Sequence, residues 1–226
     1  MAGDDGEDGS DVLLEPPEYG NPEYWEQHFA SAPHGKCNDP SSLEFEWVHS
    51  DLGRLVEMLL PELPSCGRLL HPGCGMSVLP VRLHAAGCEL AIASLDTSRT
   101  CVEAMRSTYG HMPGLTWDVQ DVRCLREDEV YDAALEKGCL DAMLCDSEDS
   151  AASYVRGVAR LLSVGAPFLV VSNSPVRHRH LQRHFEVVDV RPLCPEDGPM
   201  AIHSLYTCKR RSTEVSPELG LRTEKK

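Results

Sequence analysis

The sequence predicts an α/β protein built on a seven-strand sheet, mostly parallel, with helices on both faces and an antiparallel hairpin at its C-terminal end. Three observations carry that prediction. Short apolar runs alternate with helical patterns between residues 68 and 183. A glycine turn, Gly73-Cys74-Gly75, follows the first apolar run, as a strand-to-helix turn does in an open parallel sheet. The last two runs, 185–190 and 202–208, are joined only by a loop containing Pro192, Pro195, Gly198 and Pro199, so they pair as a hairpin.

The elements follow in order. Residues 1–18 carry Asp4, Asp5, Glu7, Asp8, Asp11, Glu15 and Glu18 with no basic residue and read as a disordered acidic tail. Residues 19–210 form the folded domain, and 211–226, of mixed charge and no apolar period, form a second tail. Residues 21–30 read as a short helix with Asn21 as cap and Pro22 at the first helical position. Its Tyr24, Trp25, His28 and Phe29 fall at helical spacing, which suits either packing onto the core or covering a ligand. A loop carrying Phe45, Glu46 and Trp47 leads to a helix over 51–60 that ends at Pro61. Strands then fall at 68–71, 90–95, 115–119, 131–135 and 168–172. Helices fall at 77–86, ended by Gly87, at 98–109 behind a Thr97/Ser98 cap, at 150–162 and at 176–183.

At 226 residues the chain suits one full α/β domain. Its net charge, 21 − 36 = −15, argues against sequence-independent nucleic-acid binding and suits a basic protein partner or plain solvation. The ten cysteines form no CxxC pair and several lie in apolar runs, which reads as reduced thiols in a cytoplasmic protein. No secretory or transit segment is expected at the N-terminus. No apolar run approaches the roughly 18–20 residues that span a bilayer, so no membrane partner is expected. His180 and His184 lie one helical turn apart, but without an HExxH pattern or a cysteine partner they predict no metal.

In open α/β sheets a ligand sits beyond the carboxyl ends of the strands. The residues there are Gly73 and Gly75, then Asp96 and Thr97, then Asp121 and Val122, then Glu136 and Lys137. An acid 21 residues beyond Gly75 is placed to accept ribose hydroxyls, because a carboxylate offers two acceptor oxygens. Asp121 can accept from an adenine amine, the Val122 N–H can donate to a ring nitrogen, and Lys137 can pair with a ligand carboxylate. Trp25, Phe29 and Trp47 can face a cationic sulfur through cation–π contacts, worth about 0.5–2 kcal/mol. Each residue also has an ordinary structural reading as turn glycine, cap, loop acid or surface lysine. An NAD(P)-dependent oxidoreductase shares the strand–glycine–acid layout. Val78 in place of a third fingerprint glycine and the terminal hairpin both count against it.

Six segments carry a family resemblance: EYWEQHF (23–29), FEW (45–47), GCGMSVL (73–79), LDTS (95–98), WDVQDVRCL (117–125) and LEKGCLDAML (135–144). Together they resemble the Rossmann-like seven-strand methyltransferases that modify lysine on translation elongation factor 1-alpha. The resemblance implies S-adenosyl-L-methionine as cofactor and a protein lysine as acceptor. Carried over by motif, it implies cofactor contacts at Trp25, Phe29, Trp47, Gly73, Gly75, Asp96, Thr97, Asp121, Val122 and Lys137. The chain departs from the family pattern at Val48, Met76, Thr97 and Cys139, and these changes bear on the substrate side.

Overall fold

The computed structural model describes residues 17–31, 46–48, 51–125, 131–196 and 202–212. Its strands are β1 (Arg68–Pro72), β2 (Ala91–Asp96), β3 (Leu115–Val119), β4 (Ala133–Lys137), β5 (Pro167–Ser172), β6 (Phe185–Pro192) and β7 (Ser204–Arg210). They form a single sheet in the order β3-β2-β1-β4-β5-β7-β6. The pairs among β1 to β5 are parallel, and β7 pairs antiparallel with both β5 and β6. The chain leaves β1 towards β2 on one side, and β4 lies on the other. That reversal opens a crevice at the carboxyl ends of β1 and β4.

The central strands are apolar at consecutive positions because both faces of the sheet are covered. Leu69, Leu169, Val171 and Leu205 point into one core, while Leu70, Phe168, Val170 and Tyr206 point into the other. The first core is closed by helices α1 (Pro22–Ser31), α2 (Leu52–Leu59), α3 (Leu79–Ala85) and α4 (Arg99–Tyr109). The second is closed by α5 (Cys139–Asp146), α6 (Glu148–Leu161) and the one-turn α7 (His178–Leu181). Sequence caps hold where they are expected. Asn21 Oδ1 accepts from Glu23 N, and Ser98 Oγ accepts from Cys101 N.

The differences from the sequence reading have local causes. The α5 helix is not foreshadowed by a capping residue of its own. It starts after Gly138 at φ 82°, and the Glu136 carboxylate reaches forward from β4 to accept from Cys139 N at 2.6 Å and Leu140 N at 3.1 Å. The α3 helix begins at Leu79 rather than 77, and the Val78 N–H just before it is bonded to Glu46. β4 lies two residues later than expected, with Tyr131 reduced to a bridge to Leu162. β7 likewise starts at Ser204 instead of 202, and β6 extends to Pro192. The helix expected over 176–183 is confined to four residues. Most of both expected tails lies outside the described residues.

Candidate functional site

A cleft of about 940 Å³, counted out to its open mouth, lies at the carboxyl ends of β1, β2 and β4. All ten residues singled out in the sequence line it: Trp25, Phe29, Trp47, Gly73, Gly75, Asp96, Thr97, Asp121, Val122 and Lys137.

The floor is the turn after β1. Gly73 and Gly75 take φ of 63° and 50°, left-handed values that strain any other residue. A Cβ on Gly73 would run into the Cys139 side chain, so the turn and the start of α5 touch because residue 73 has none. Gly75 N donates to Asp96 Oδ2 at 2.8 Å and Ser98 N donates to Asp96 Oδ1 at 2.9 Å. Asp96 therefore ties the ends of β1 and β2 together. Burial raises its pKa, against the pull of those N–H groups. The Thr97 backbone N–H and the Cys101 side chain also bond to this carboxylate. Thr97 stands exposed at the rim.

Asp121 is engaged in a way the sequence did not foretell. Arg123 donates to it from the backbone at 2.8 Å and from the guanidinium at 2.7–3.0 Å, and also reaches Ser150 Oγ at 3.1 Å. Burial pushes the Asp121 carboxyl up, but the Arg123 bonds outweigh it and hold it below its usual value. The expected open acceptor for an adenine amine is thus already paired. Val122, next in the chain, is buried against the second core.

The cover is aromatic. Trp25 stacks on Phe29 with centroids 5.8 Å apart and meets Trp47 edge-on at 5.3 Å. Trp25 Nε1 donates to Tyr19 O at 2.7 Å. These rings pack α1 onto the domain and also line the cleft. The helix is fastened by Glu26, which accepts from Ser98 Oγ and Thr100 Oγ1, each at 2.5 Å.

Lys137 has partners the sequence did not foretell. Its ammonium lies 2.9 Å from Glu46 Oε2 and also donates to Trp47 O. Burial pulls the Lys137 pKa down, against the opposing pull of Glu46. Glu46 also accepts from Ser77 Oγ at 2.9 Å and Val78 N at 2.9 Å. Glu136, at the end of β4, is fully buried and does not line the cleft. Burial lifts it to about 8. His71 lines the floor, sits 3.2 Å from Ser94 Oγ, and is depressed by burial to about 3, so it is neutral.

Glu26, Glu46, Arg123, His71 and Cys139 were not singled out as site residues, although each lies within two residues of one. Glu26 and Glu46 were legible only as acids flanked by aromatics. Nothing in the local pattern names partners 72 to 91 residues away.

No protein-family model matches the chain. Among solved structures, the fold resembles the N-methyltransferase NodS from Bradyrhizobium japonicum WM9 bound to S-adenosyl-L-homocysteine. The TM-score is 0.59 at 13% identity, covering 86% of this chain and 99% of that one. The fold is therefore that of the seven-strand S-adenosylmethionine-dependent methyltransferases. By sequence the chain is a relative of proteins named EEF1A lysine methyltransferase 4. It is 36% identical to the Bos taurus protein over 132 residues, 58% of this chain and 48% of the relative. It is 32% identical to the Mus musculus protein over 168 residues, 70% of this chain and 62% of the relative. The matched region thus spans about half to three fifths of those relatives' length.

Proposed function

We propose that this chain is an S-adenosyl-L-methionine-dependent protein-lysine N-methyltransferase, acting on translation elongation factor 1-alpha or a similar protein. One observation carries the cofactor reading. A left-handed glycine turn is bonded to a half-buried acid at the next strand end, inside an aromatic-walled cleft. The names of the sequence relatives support the acceptor.

The residues present fit that cofactor. Asp96 lines the cleft, where its carboxylate would accept ribose hydroxyls, and the Cβ-free turn at 73–75 lets a ligand lie against the main chain. Val122 and the Asp121–Arg123 pair line the same cleft, and the Val122 N–H would donate to an adenine ring nitrogen there. Trp25, Phe29 and Trp47 exclude water and offer ring faces to a cation. Bound there, the cofactor supplies a methyl group on a cationic sulfur. The chain's contribution is chiefly to hold the two reactants in line, which is where most of the acceleration arises. The target ammonium, with a reference pKa of about 10.4, must lose a proton first. Glu136 is not the acceptor, because it is sealed beneath the cleft with Oε2 on the α5 N-terminus. The described cysteines are free thiols, which supports residence in the reducing cytoplasm.

The test is transfer of labelled methyl groups from S-adenosylmethionine to purified elongation factor 1-alpha, with the site mapped by mass spectrometry. Label on a lysine is expected. Retained S-adenosylhomocysteine binding with no transfer to that protein or to any protein of a lysate would leave a non-catalytic relative and overturn the assignment.

A further inference from the structure

We infer that Lys137 and Glu46 are positioning residues: their ion pair clamps residues 46–48 against the sheet and thereby sets Trp47 as a wall of the cleft. The inference rests on the methyltransferase reading, but its geometry is independent of any ligand. The pair joins the end of β4 to a segment 91 residues earlier in the chain, and the two side chains are 2% and 10% exposed. A surface ion pair fixes little, whereas a buried one with its remaining valences satisfied specifies one arrangement. Here most of those valences are met. Glu46 accepts from Ser77 Oγ and Val78 N, and Lys137 donates to the carbonyl of Trp47 itself.

Two further features show that residues 46–48 are held rather than resting. Val48 has φ 71°, a left-handed value that is costly for a β-branched residue and persists only where the surroundings impose it. Directly below lies Gly138, also left-handed at φ 82°. A Cβ there would sit 2.6 Å from Trp47 Cδ1 and 2.7 Å from Val48 Cγ2. The segment is therefore pressed onto the backbone that links β4 to α5. The ammonium on one side and the missing side chain on the other define where Trp47 lies. The lysine and the glycine of the EKG sequence thus do one job together, and the glutamate of FEW is its other half.

The experiment compares Glu46→Gln, Lys137→Met and the double variant with the parent chain. Three readouts are melting temperature, S-adenosylhomocysteine affinity by calorimetry, and hydrogen exchange of residues 46–48 in ligand-free protein. Each single variant leaves a buried group without its partner and lowers the melting temperature. The double variant leaves no buried unpaired charge, so its melting temperature returns towards the parent's. Its affinity stays down by about tenfold or more, and exchange at 46–48 stays fast. Recovery of affinity and protection along with the melting temperature would overturn the inference and leave the pair a purely structural element. So would unchanged exchange at 46–48 in all three variants. If the parent itself fails to bind S-adenosylhomocysteine, the cofactor reading fails, while the exchange data still decide the clamp.

Discussion

The cleft has two walls built on different principles. The strand-end wall, Gly73 to Gly75 and Asp96, is continuous with β1 and β2, which pair in unbroken register from Arg68↔Ala91 to Pro72↔Leu95. Its geometry is inherited from the sheet. The covering wall, α1 and residues 46–48, is tied down by side chains reaching across long sequence distances: Glu26 to Ser98 and Thr100, and Glu46 to Lys137, Ser77 and Val78. Losing one bond in the first wall disturbs the fold and the ligand site together. Losing one in the second should disturb the site and, the buried Glu46–Lys137 pair apart, spare most of the fold. The division suggests that the sheet end specifies the ligand class and that the cover adjusts how tightly, and beside what, the ligand is held.

The largest effect is expected in the first wall. Asp96→Ala strips the acceptor from Gly75 N and Ser98 N, and a buried donor left unpaired costs about 1–3 kcal/mol. The melting temperature should fall and S-adenosylhomocysteine binding should vanish. Unchanged affinity in calorimetry would remove Asp96 from the site.

A smaller effect is expected from Glu26→Ala in the second wall. Glu26 is held below its ordinary pKa; burial works against this, but the hydroxyls of Ser98 and Thr100 outweigh it. Its loss should cost about 1 kcal/mol, the scale of a lost helix-terminal cap. It should weaken S-adenosylhomocysteine about tenfold with the fold intact. A collapse as large as that of Asp96→Ala would erase the distinction between the walls.

The smallest effect at neutral pH concerns two groups beneath both walls. The folded protein keeps the Glu136 proton up to about 8, whereas the unfolded chain releases it near 4.5. This residue therefore makes stability fall as pH rises between those values. His71 acts oppositely. Folded it stays neutral down to about 3, while the unfolded chain takes up a proton near 6.5, so stability is lost as pH falls through that window. In melts from pH 4 to 9, Glu136→Gln should flatten the alkaline decline and His71→Asn the acid one. Superimposable curves would contradict the burial of these groups.

The same contrast explains what the sequence revealed. The sheet end was legible because its signals are local: apolar runs on both faces, two glycines in a turn, an acid at the next strand end. Helix α5 was not, because its cap is Glu136 on the preceding strand and not a residue at its own start. The cover was legible as aromatic spacing, while its fastenings were not. Lys137 reads as a cation free to meet a ligand until the fold brings Glu46 to it, and Asp121 reads as open until Arg123 folds back two residues.

Calorimetric titration of the purified chain with S-adenosylhomocysteine, in parallel with NAD, tests the central claim most directly. One-site binding of S-adenosylhomocysteine that Asp96→Ala abolishes, with no heat from NAD, is the predicted result. Binding of NAD at the same acid, or no binding of S-adenosylhomocysteine by the folded chain, would contradict the assignment of the cleft.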